Sequence, residues 1–349
     1  MHRLFGFTAL LLPWISAASI AQPPTPIGMS YASDHWRQSL ELYLPERGCA
    51  PFPLAIFIHG GGWLTGDSSQ ALPFVEPLIE RGFAVAAINY RWSGQAIFPA
   101  QIHDCKGAVR FLRANAGTFQ LDPSKFGVVG DSAGGHLAAL LGTTGDAPSM
   151  EGNVGGNLEY SSRPLAVADL AGPTDLFAYG AIHNSPDSTV SQLFGWPIQD
   201  IIDHKNDPDY ASLVALVNSA NPITHITPNE PPFHIVHGDA DDNVPLSQSQ
   251  ILHNALVNSS NASELVVIPG GPHLIAFEDY LPAFDALAKA MDVHPFRFAD
   301  LDCDGSVNVN DLLGVINAWG PCPAPCAADV NAVSAVNVND MLAVINDWG

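Results

Sequence analysis

Positive charge is the scarcest commodity in this chain. Thirteen Lys and Arg stand against 35 Asp and Glu in 349 residues, a formal net charge of −22. A surface of that sign repels phosphate backbones, which excludes a nucleic acid bound through its phosphates; its ordinary consequence is solubility. Cysteine is also sparse. Five in the whole chain cannot build a disulfide scaffold of this size, and an odd number leaves at least one thiol unpaired in a monomer. Cys105 falls in a helix-like segment and reads as a buried free thiol. Cys303, Cys322 and Cys326 cluster near the carboxyl end, where an oxidising compartment permits a bridge. Beyond the first residues no apolar run is long enough for a membrane span. The early run, Leu4 to Ile15 behind Arg3, is interrupted by Gly6 and Pro13 and followed by the small residues of Ser19-Ile20-Ala21. That is the pattern of an export signal cut after Ala21, and the run is short for an anchor. The expectation is an exported protein, secreted, periplasmic or at the cell surface.

After the signal (1–21), residues 22–35 are a proline-rich extended lead-in. From Trp36 to His294 strand-like and helix-like segments alternate. Leu40–Leu44, Leu54–Ile58, Ala84–Ile88, Gly127–Val129, Leu165–Leu170, Phe233–Val236 and Leu265–Ile268 read as strands, several of them short continuous apolar runs. Gln101–Ala116, Ala133–Leu141, Gln248–Val257 and Leu281–Met291 read as helices. Apolar runs of this kind suit a sheet covered on both faces, and the alternation predicts an α/β domain with a mostly parallel sheet over residues 36–294. The stretch 180–231 is rich in Asn, Pro, Asp and Ser, and reads either as a poorly structured excursion or as a lid or pocket wall.

Gly130-Asp131-Ser132-Ala133-Gly134-Gly135 joins one such strand to a helix. Glycines around a serine in a strand-turn-helix setting make the turn that exposes a nucleophilic hydroxyl. A serine is a poor nucleophile until a base takes its proton and an acid orients that base. The base is expected in the loop after the last strand, Pro269-Gly270-Gly271-Pro272-His273, which nominates His273. The acid is expected in the loop after Phe233–Val236; Asp241 is first choice there, ahead of Asp239 and Asp242. The developing oxyanion requires converging backbone N–H groups. His59-Gly60-Gly61-Gly62-Trp63 follows a strand and lacks the lysine of a phosphate loop. It nominates the amides of Gly61 and Gly62, with that of Ala133 after the serine, and leaves His59 as a brace.

These motifs, with Tyr90-Arg91, Pro99-Ala100-Gln101, Asp104-Cys105-Lys106, Gly172-Pro173-Thr174-Asp175 and His237-Gly238 through Val244-Pro245, resemble the α/β-hydrolase esterases, specifically the feruloyl-esterase-like (BD-FAE-like) group, over roughly Leu40 to Met291. The chain is also similar to the hormone-sensitive-lipase-like esterases, but lacks their Asp-Pro-Leu acid context. The resemblance implies a serine carboxylesterase with a Ser-His-Asp triad, working on acetyl or hydroxycinnamoyl esters of plant polysaccharide or on short-chain esters, with no cofactor for catalysis. An arylformamidase or amidase using the same triad is the alternative within enzymes. A catalytically silent hydrolase fold serving as a binding component is the alternative outside them.

Residues 295–349 form a second module. Asn308–Gly320 recurs 29 residues later as Asn337–Gly349, identical at ten of thirteen positions, and from Asp300 onward there is no Lys, Arg or His. Asp300, Asp302, Asp304, Asn308 and Asp311 fall at positions 1, 3, 5, 9 and 12 of a calcium loop, with Gly305 at 6 and the carbonyl of Ser306 at 7. The second copy keeps Asp329, Asn331, Asn337 and Asp340 but has Val333 and Ser334 at positions 5 and 6, so calcium is expected in the first loop and weakly or not at all in the second. Leu312, Val315, Ile316 and Trp319 form a helical stripe that reads mainly as packing between the two helices. Paired loop-helix repeats of this kind resemble type I dockerin modules. The resemblance implies a small all-α domain and a cohesin-like scaffold or cell-surface partner, unless the degenerate pair serves only as a stable cap.

Overall fold

The computed structural model describes residues 24–348 apart from 146, 298, 305, 323–325, 332 and 334. The expected export signal, with its cut after Ala21, lies outside the described residues, as do Gly305 and Ser334 of the two acidic loops. No helix among the described residues is long and apolar enough to cross a membrane.

An eight-stranded sheet organises the larger part of the chain. Its strands are β1 (Ile27–Ser30), β2 (Ser39–Tyr43), β3 (Phe52–Ile58), β4 (Ala84–Ile88), β5 (Leu121–Asp131), β6 (Val167–Leu170), β7 (Phe233–Gly238) and β8 (Ser263–Ile268), in the spatial order β1-β2-β4-β3-β5-β6-β7-β8. From β4 to β8 every neighbour is parallel; β1 and β2 form an antiparallel edge. The helices α1 (Leu72–Glu80), α2 (Ala100–Ala114), α3 (Ala133–Thr143), α8 (Ser247–Asn258) and α9 (Leu281–Ala290) pack on the sheet, while α4 (Leu176–Ile182), α5 (Thr189–Phe194), α6 (Ile198–Asp203) and α7 (Ala211–Ala220) fill the stretch after β6. Two apolar clusters result. One contains Leu54, Ile56, Val128 and Leu137, the other Phe57, Val85, Val129 and Phe284. Successive residues of β3 and β5 therefore point into opposite clusters, as a strand buried on both faces requires.

Two boundaries differ from the expectation. The lead-in 22–35 contains β1, so the sheet begins at Ile27 rather than after residue 35; an edge strand that is mostly exposed leaves no apolar pattern to read. The stretch 180–231 is folded rather than irregular. Its helices are six to ten residues long, too few turns for a clear period, yet they bury Val190, Leu193, Phe194, Ile198, Ile201, Val217 and Ala220.

The tail holds α10 (Val309–Asn317) and α11 (Val338–Asn346), each opened by a capping box, Asn308 with Asp311 and Asn337 with Asp340. Between them β9 (Gly320–Pro321) pairs antiparallel with β10 (Ala335–Val336), so the module is two helices plus a strand pair rather than all-α. Val307, Val315, Val336 and Val344 form its small core. Of the expected packing stripe only Val315 is buried, with Leu312 packed against it. Ile316 and Trp319 are exposed, together with Val309 and Leu313, and the second helix exposes Val338, Leu342, Ile345 and Trp348 at the matching positions. A small core has room for one face of each helix only.

The cysteine expectation also changes. Cys303 is bridged to Cys49, in the loop before β3, and Cys322 to Cys326; Cys105 is the buried free thiol. A partner 254 residues away cannot be found by clustering along the chain. The bridge ties the tail to the sheet domain, beside a hydrogen bond of 2.7 Å from Arg47 to the Val330 carbonyl.

At Gly134 the first turn of α3 crosses the end of β3 so closely that a Cβ would collide with the Ile58 carbonyl oxygen. Gly134→Ala is expected to cost roughly 3 kcal/mol or more of unfolding free energy in urea titrations, since only backbone can yield. A cost below about 1 kcal/mol would mean that the crossing is loose.

Candidate active site

The parallel strands end at one edge, and the crevice outside their carboxyl ends is where loops from different strands converge. Ser132 follows β5, Asp241 follows β7, His273 follows β8, and Gly60-Gly61-Gly62 follow β3. Ser132 has φ 52° and ψ −120°, a conformation L-residues rarely adopt. It is held by a 2.8 Å bond from its N–H to Leu170 O. This lifts the hydroxyl out of the sheet edge at the start of α3.

Three of the nominated residues meet there. Ser132 Oγ lies 2.9 Å from His273 Nε2, and His273 Nδ1 lies 2.7 Å from Asp241 Oδ2. The carboxylate can only accept, so Nδ1 carries the proton and Nε2 is free to receive one from serine. Asp241 is buried to solvent, and its other oxygen accepts from the N–H groups of Asn243 at 2.9 Å and Val244 at 2.8 Å. Burial alone would raise its carboxyl. Hydrogen bonds from His237, His273, Val244 and Asn243 outweigh that and hold it well below the usual carboxylate range, so it stays an anion next to the imidazole. The rival acids have other places: Asp239 accepts from Gly270 N at 2.6 Å, and Asp242 is exposed.

The loop after β3 brings Gly61 and Gly62 to the same cavity as Ala133. Among the described residues none accepts a hydrogen bond from these three amides, which leaves them for a ligand oxygen. Gly61 has φ +103°, and a Cβ there would lie 2.5 Å from Thr65 O, so only glycine fits. The cavity has a volume of about 810 Å³; Tyr179 and, from the 180–231 stretch, Thr189 line it, and Phe74, Leu274, Phe277 and Tyr280 contribute apolar surface. The stretch thus supplies part of the pocket wall.

Of the supports of this loop, sequence reasoning named His59 as a brace and missed the others. Arg37, buried between β1 and β2, donates from Nε to Tyr90 O at 2.7 Å and from Nη2 to Gly66 O at 2.9 Å and His59 Nε2 at 3.0 Å. His59 donates through Nδ1 to Gly60 O at 2.7 Å, and burial lowers its imidazole to about 4, so it stays neutral. Asp131 Oδ1 accepts from Gly60 N at 2.9 Å. Trp63 donates to His136 Nδ1 at 3.2 Å, and His136 Nε2 donates to Ala220 O at 2.7 Å, linking the loop to α3 and α7. His237 stands 3.2 Å from Asp241 Oδ2 and holds Ser249 Oγ at 2.7 Å through Nδ1. The one available signal for it was its spacing, four residues before Asp241. Arg37 offered none, because its acceptors, two carbonyls and the His59 ring nitrogen, lie far along the chain.

The acidic loops of the tail are arranged less completely. Carboxylate oxygens of Asp300, Asp302 and Asp304 lie within 4.8 Å of one another. Ser306 donates its N–H to Asp304, and Asn308 donates through Nδ2 to Asp304 at 3.3 Å. Asp311 is turned to the loop's own backbone, accepting from Leu301 N at 2.6 Å and Asn308 N at 2.7 Å. Asp340 does the same for Asn331 and Asn337, Asp329 accepts from Val333 N, and Val333 brings no oxygen to the fifth position.

Residues 40–256 match the sequence model of the BD-FAE family. Esterase LipQ of Mycobacterium tuberculosis is 28% identical over 84% of this chain and 61% of its own length. The chain spans between 43% and 61% of the length of this relative and two further mycobacterial ones. Among solved structures, a truncated carbohydrate esterase from gut microbiota is 30% identical, with 78% of this chain and 99% of that one covered and a TM-score of 0.67. A bifunctional GH43-CE protein of Bacteroides eggerthii is 35% identical over 75% of this chain and 37% of its own, with a TM-score of 0.68.

Burial pushes the Asp131 carboxyl up to about 6, from an ordinary value of 3.8. The folded state therefore holds that proton more tightly than the unfolded chain. The associated stability is fully present below pH 3.8 and lost as pH rises through about 6. Asp131→Asn cannot titrate. Relative to the native chain it is expected to gain up to roughly 3 kcal/mol of unfolding free energy between about pH 4 and pH 7. Urea titrations at both values measure the difference, and an equal difference at the two would place the Asp131 carboxylate in water.

Proposed function

This chain belongs to the BD-FAE family, and on that premise we propose that it is an exported serine carboxylesterase acting on esters carried by polysaccharide, with a calcium-binding tail. The observation that carries the catalytic part is the unbroken line Ser132 Oγ, His273, Asp241, with spacings of 2.9 and 2.7 Å. Ser132 attacks the ester carbonyl while His273 Nε2 accepts its proton, and Asp241 stabilises the imidazolium that forms. The oxyanion of the tetrahedral intermediate is met by the amides of Gly61, Gly62 and Ala133, aided by the positive end of α3. Collapse expels the alcohol, which takes the proton from His273. Water, deprotonated by the same imidazole, then releases the acid and frees Ser132. All proton transfers are carried by side chains of this chain. Acetyl groups on sugar are the favoured ester class. Of the two solved structures described above, one is named a carbohydrate esterase and the other a bifunctional GH43-CE protein, and the cavity beside Ser132 has room for an acyl group with part of the alcohol that carries it.

In the tail, Asp300, Asp302 and Asp304 with the Ser306 carbonyl and Asn308 would hold one calcium ion, whose work is to tie the loop together rather than to take part in the reaction. Asp311 would have to share its oxygens with the backbone amides it now accepts from. The second loop, with Asp329, Asn331, Asn337 and Asp340, is read as structural. A cohesin-like or cell-surface partner is supported by the doubled exposed stripe, Ile316 and Trp319 with Ile345 and Trp348.

Ser132→Ala is expected to abolish turnover of short p-nitrophenyl esters and to leave calcium binding by the tail unchanged in calorimetric titration; near-native turnover would refute the triad. In a panel of acetylated xylan, methyl ferulate and an aryl formamide, the xylan is expected to be hydrolysed with the highest kcat/KM, and preference for the formamide would replace the ester reading. Arg37→Lys keeps the charge but cannot span three acceptors. It is expected to lower kcat by up to roughly 10²-fold at nearly constant KM, and unchanged kcat would remove Arg37 from the support of the oxyanion loop.

A further inference from the structure

Residues 31–38 connect β1 to β2. Because β2 runs antiparallel to β4, with Leu40 opposite Ile88, this turn emerges at the carboxyl edge of the parallel strands, the edge that carries Ser132, Asp241 and His273. Trp36, within it, is 70% exposed. An indole is among the largest apolar surfaces a side chain offers, and this one faces water on the edge that carries the site, paired with a second indole. Its ring meets Trp92 edge to face at 6.2 Å.

Trp92 is held in place, and Trp36 packs against it. Arg37 lies against them, its guanidinium carbon 3.9 Å from the centre of the Trp92 ring and 5.5 Å from that of Trp36. Trp92 donates its indole N–H to Gly66 O at 3.1 Å, the same carbonyl that Arg37 holds. Gly66 opens the segment whose Ser69 and Gln70 line the catalytic cavity, whereas neither Trp36 nor Trp92 lines it. The pair thus stands on the same carboxyl edge as the cavity and is joined to the segment that helps line it through the Gly66 carbonyl. Ser33 and Asp34, both exposed, belong to the same turn as Trp36.

We propose that Trp36, backed by Trp92, is a saccharide-stacking subsite for the alcohol portion of the ester. This rests on the polysaccharide-ester reading above. The acyl group is held at Ser132 inside the cavity, so the part of the substrate that extends along the carboxyl edge is the sugar chain. A pyranose ring presents an apolar C–H face edged by hydroxyls. A flat indole matches the apolar face, and the exposed Ser33 and Asp34 of the same turn carry the polar groups a sugar hydroxyl can bond. The acidity of the chain is no obstacle, because the ligand is neutral.

The test compares kcat/KM for an acetylated xylo-oligosaccharide with that for p-nitrophenyl acetate, in the native chain, Trp36→Ala and Trp36→Tyr. The ratio is expected to fall roughly tenfold in Trp36→Ala, through KM, and to recover most of the way in Trp36→Tyr, which keeps an aromatic face. In the Ser132→Ala background the oligosaccharide is expected to quench tryptophan fluorescence, and Trp36→Ala to remove that quench. A ratio that stays within about twofold, or a loss shared equally by both substrates, overturns the subsite. A native chain that cleaves the aryl ester but not the oligosaccharide overturns the substrate reading itself.

Discussion

The close crossing of α3 over the end of β3 is the constraint on which the rest of this molecule depends. With only hydrogen on Gly134, the first turn of the helix rests against the Ile58 carbonyl. That contact brings the amide of Ala133 beside the glycine loop that leaves β3, and it turns Ser132 into its strained conformation. Everything else at the site is brought to this junction: the Asp241 loop by the parallel pairing of β7 with β6, the His273 loop by that of β8 with β7. The strain at Ser132 is held by the sheet register around it.

The scarcity of positive charge gains a structural meaning. Several of the thirteen basic side chains are enclosed, not displayed. Arg37 braces the oxyanion loop, Arg91 forms a paired contact with buried Asp104, and Lys106 and Arg110 both reach Glu151 under the loop after α3. Arg37, Lys106 and Arg110 join segments more than 20 residues apart in sequence. The exterior is left strongly acidic, which suits a neutral ligand and disfavours an anionic one.

The order of motifs along the chain was enough to expect a parallel sheet and to nominate Ser132, Asp241 and His273, because an apolar run followed by glycines is a local pattern. Choosing Asp241 over Asp239 also followed from place in the loop. What could not be read is whatever depends on a distant partner or on a weak period. Edge strand β1 is mostly exposed, α5 and α6 are each less than two turns long, and Cys49 stands apart from every other cysteine. Arg37 belongs with these. A buried arginine leaves no trace in a sequence when its acceptors are carbonyls of Gly66 and Tyr90. In the tail the repeat itself was plain, but which helix face the small core would take was decided by packing, and Ile316 and Trp319 were left outside.

The central claim is that Ser132 carries the acyl group between the two halves of the reaction. Rapid-quench mass spectrometry after mixing with p-nitrophenyl acetate tests it directly. The account predicts a burst of p-nitrophenol with an acetyl increment on the peptide containing Ser132, decaying as acetate is released. An acetyl group found on another side chain, or turnover with no acylated Ser132 at any time, would contradict it.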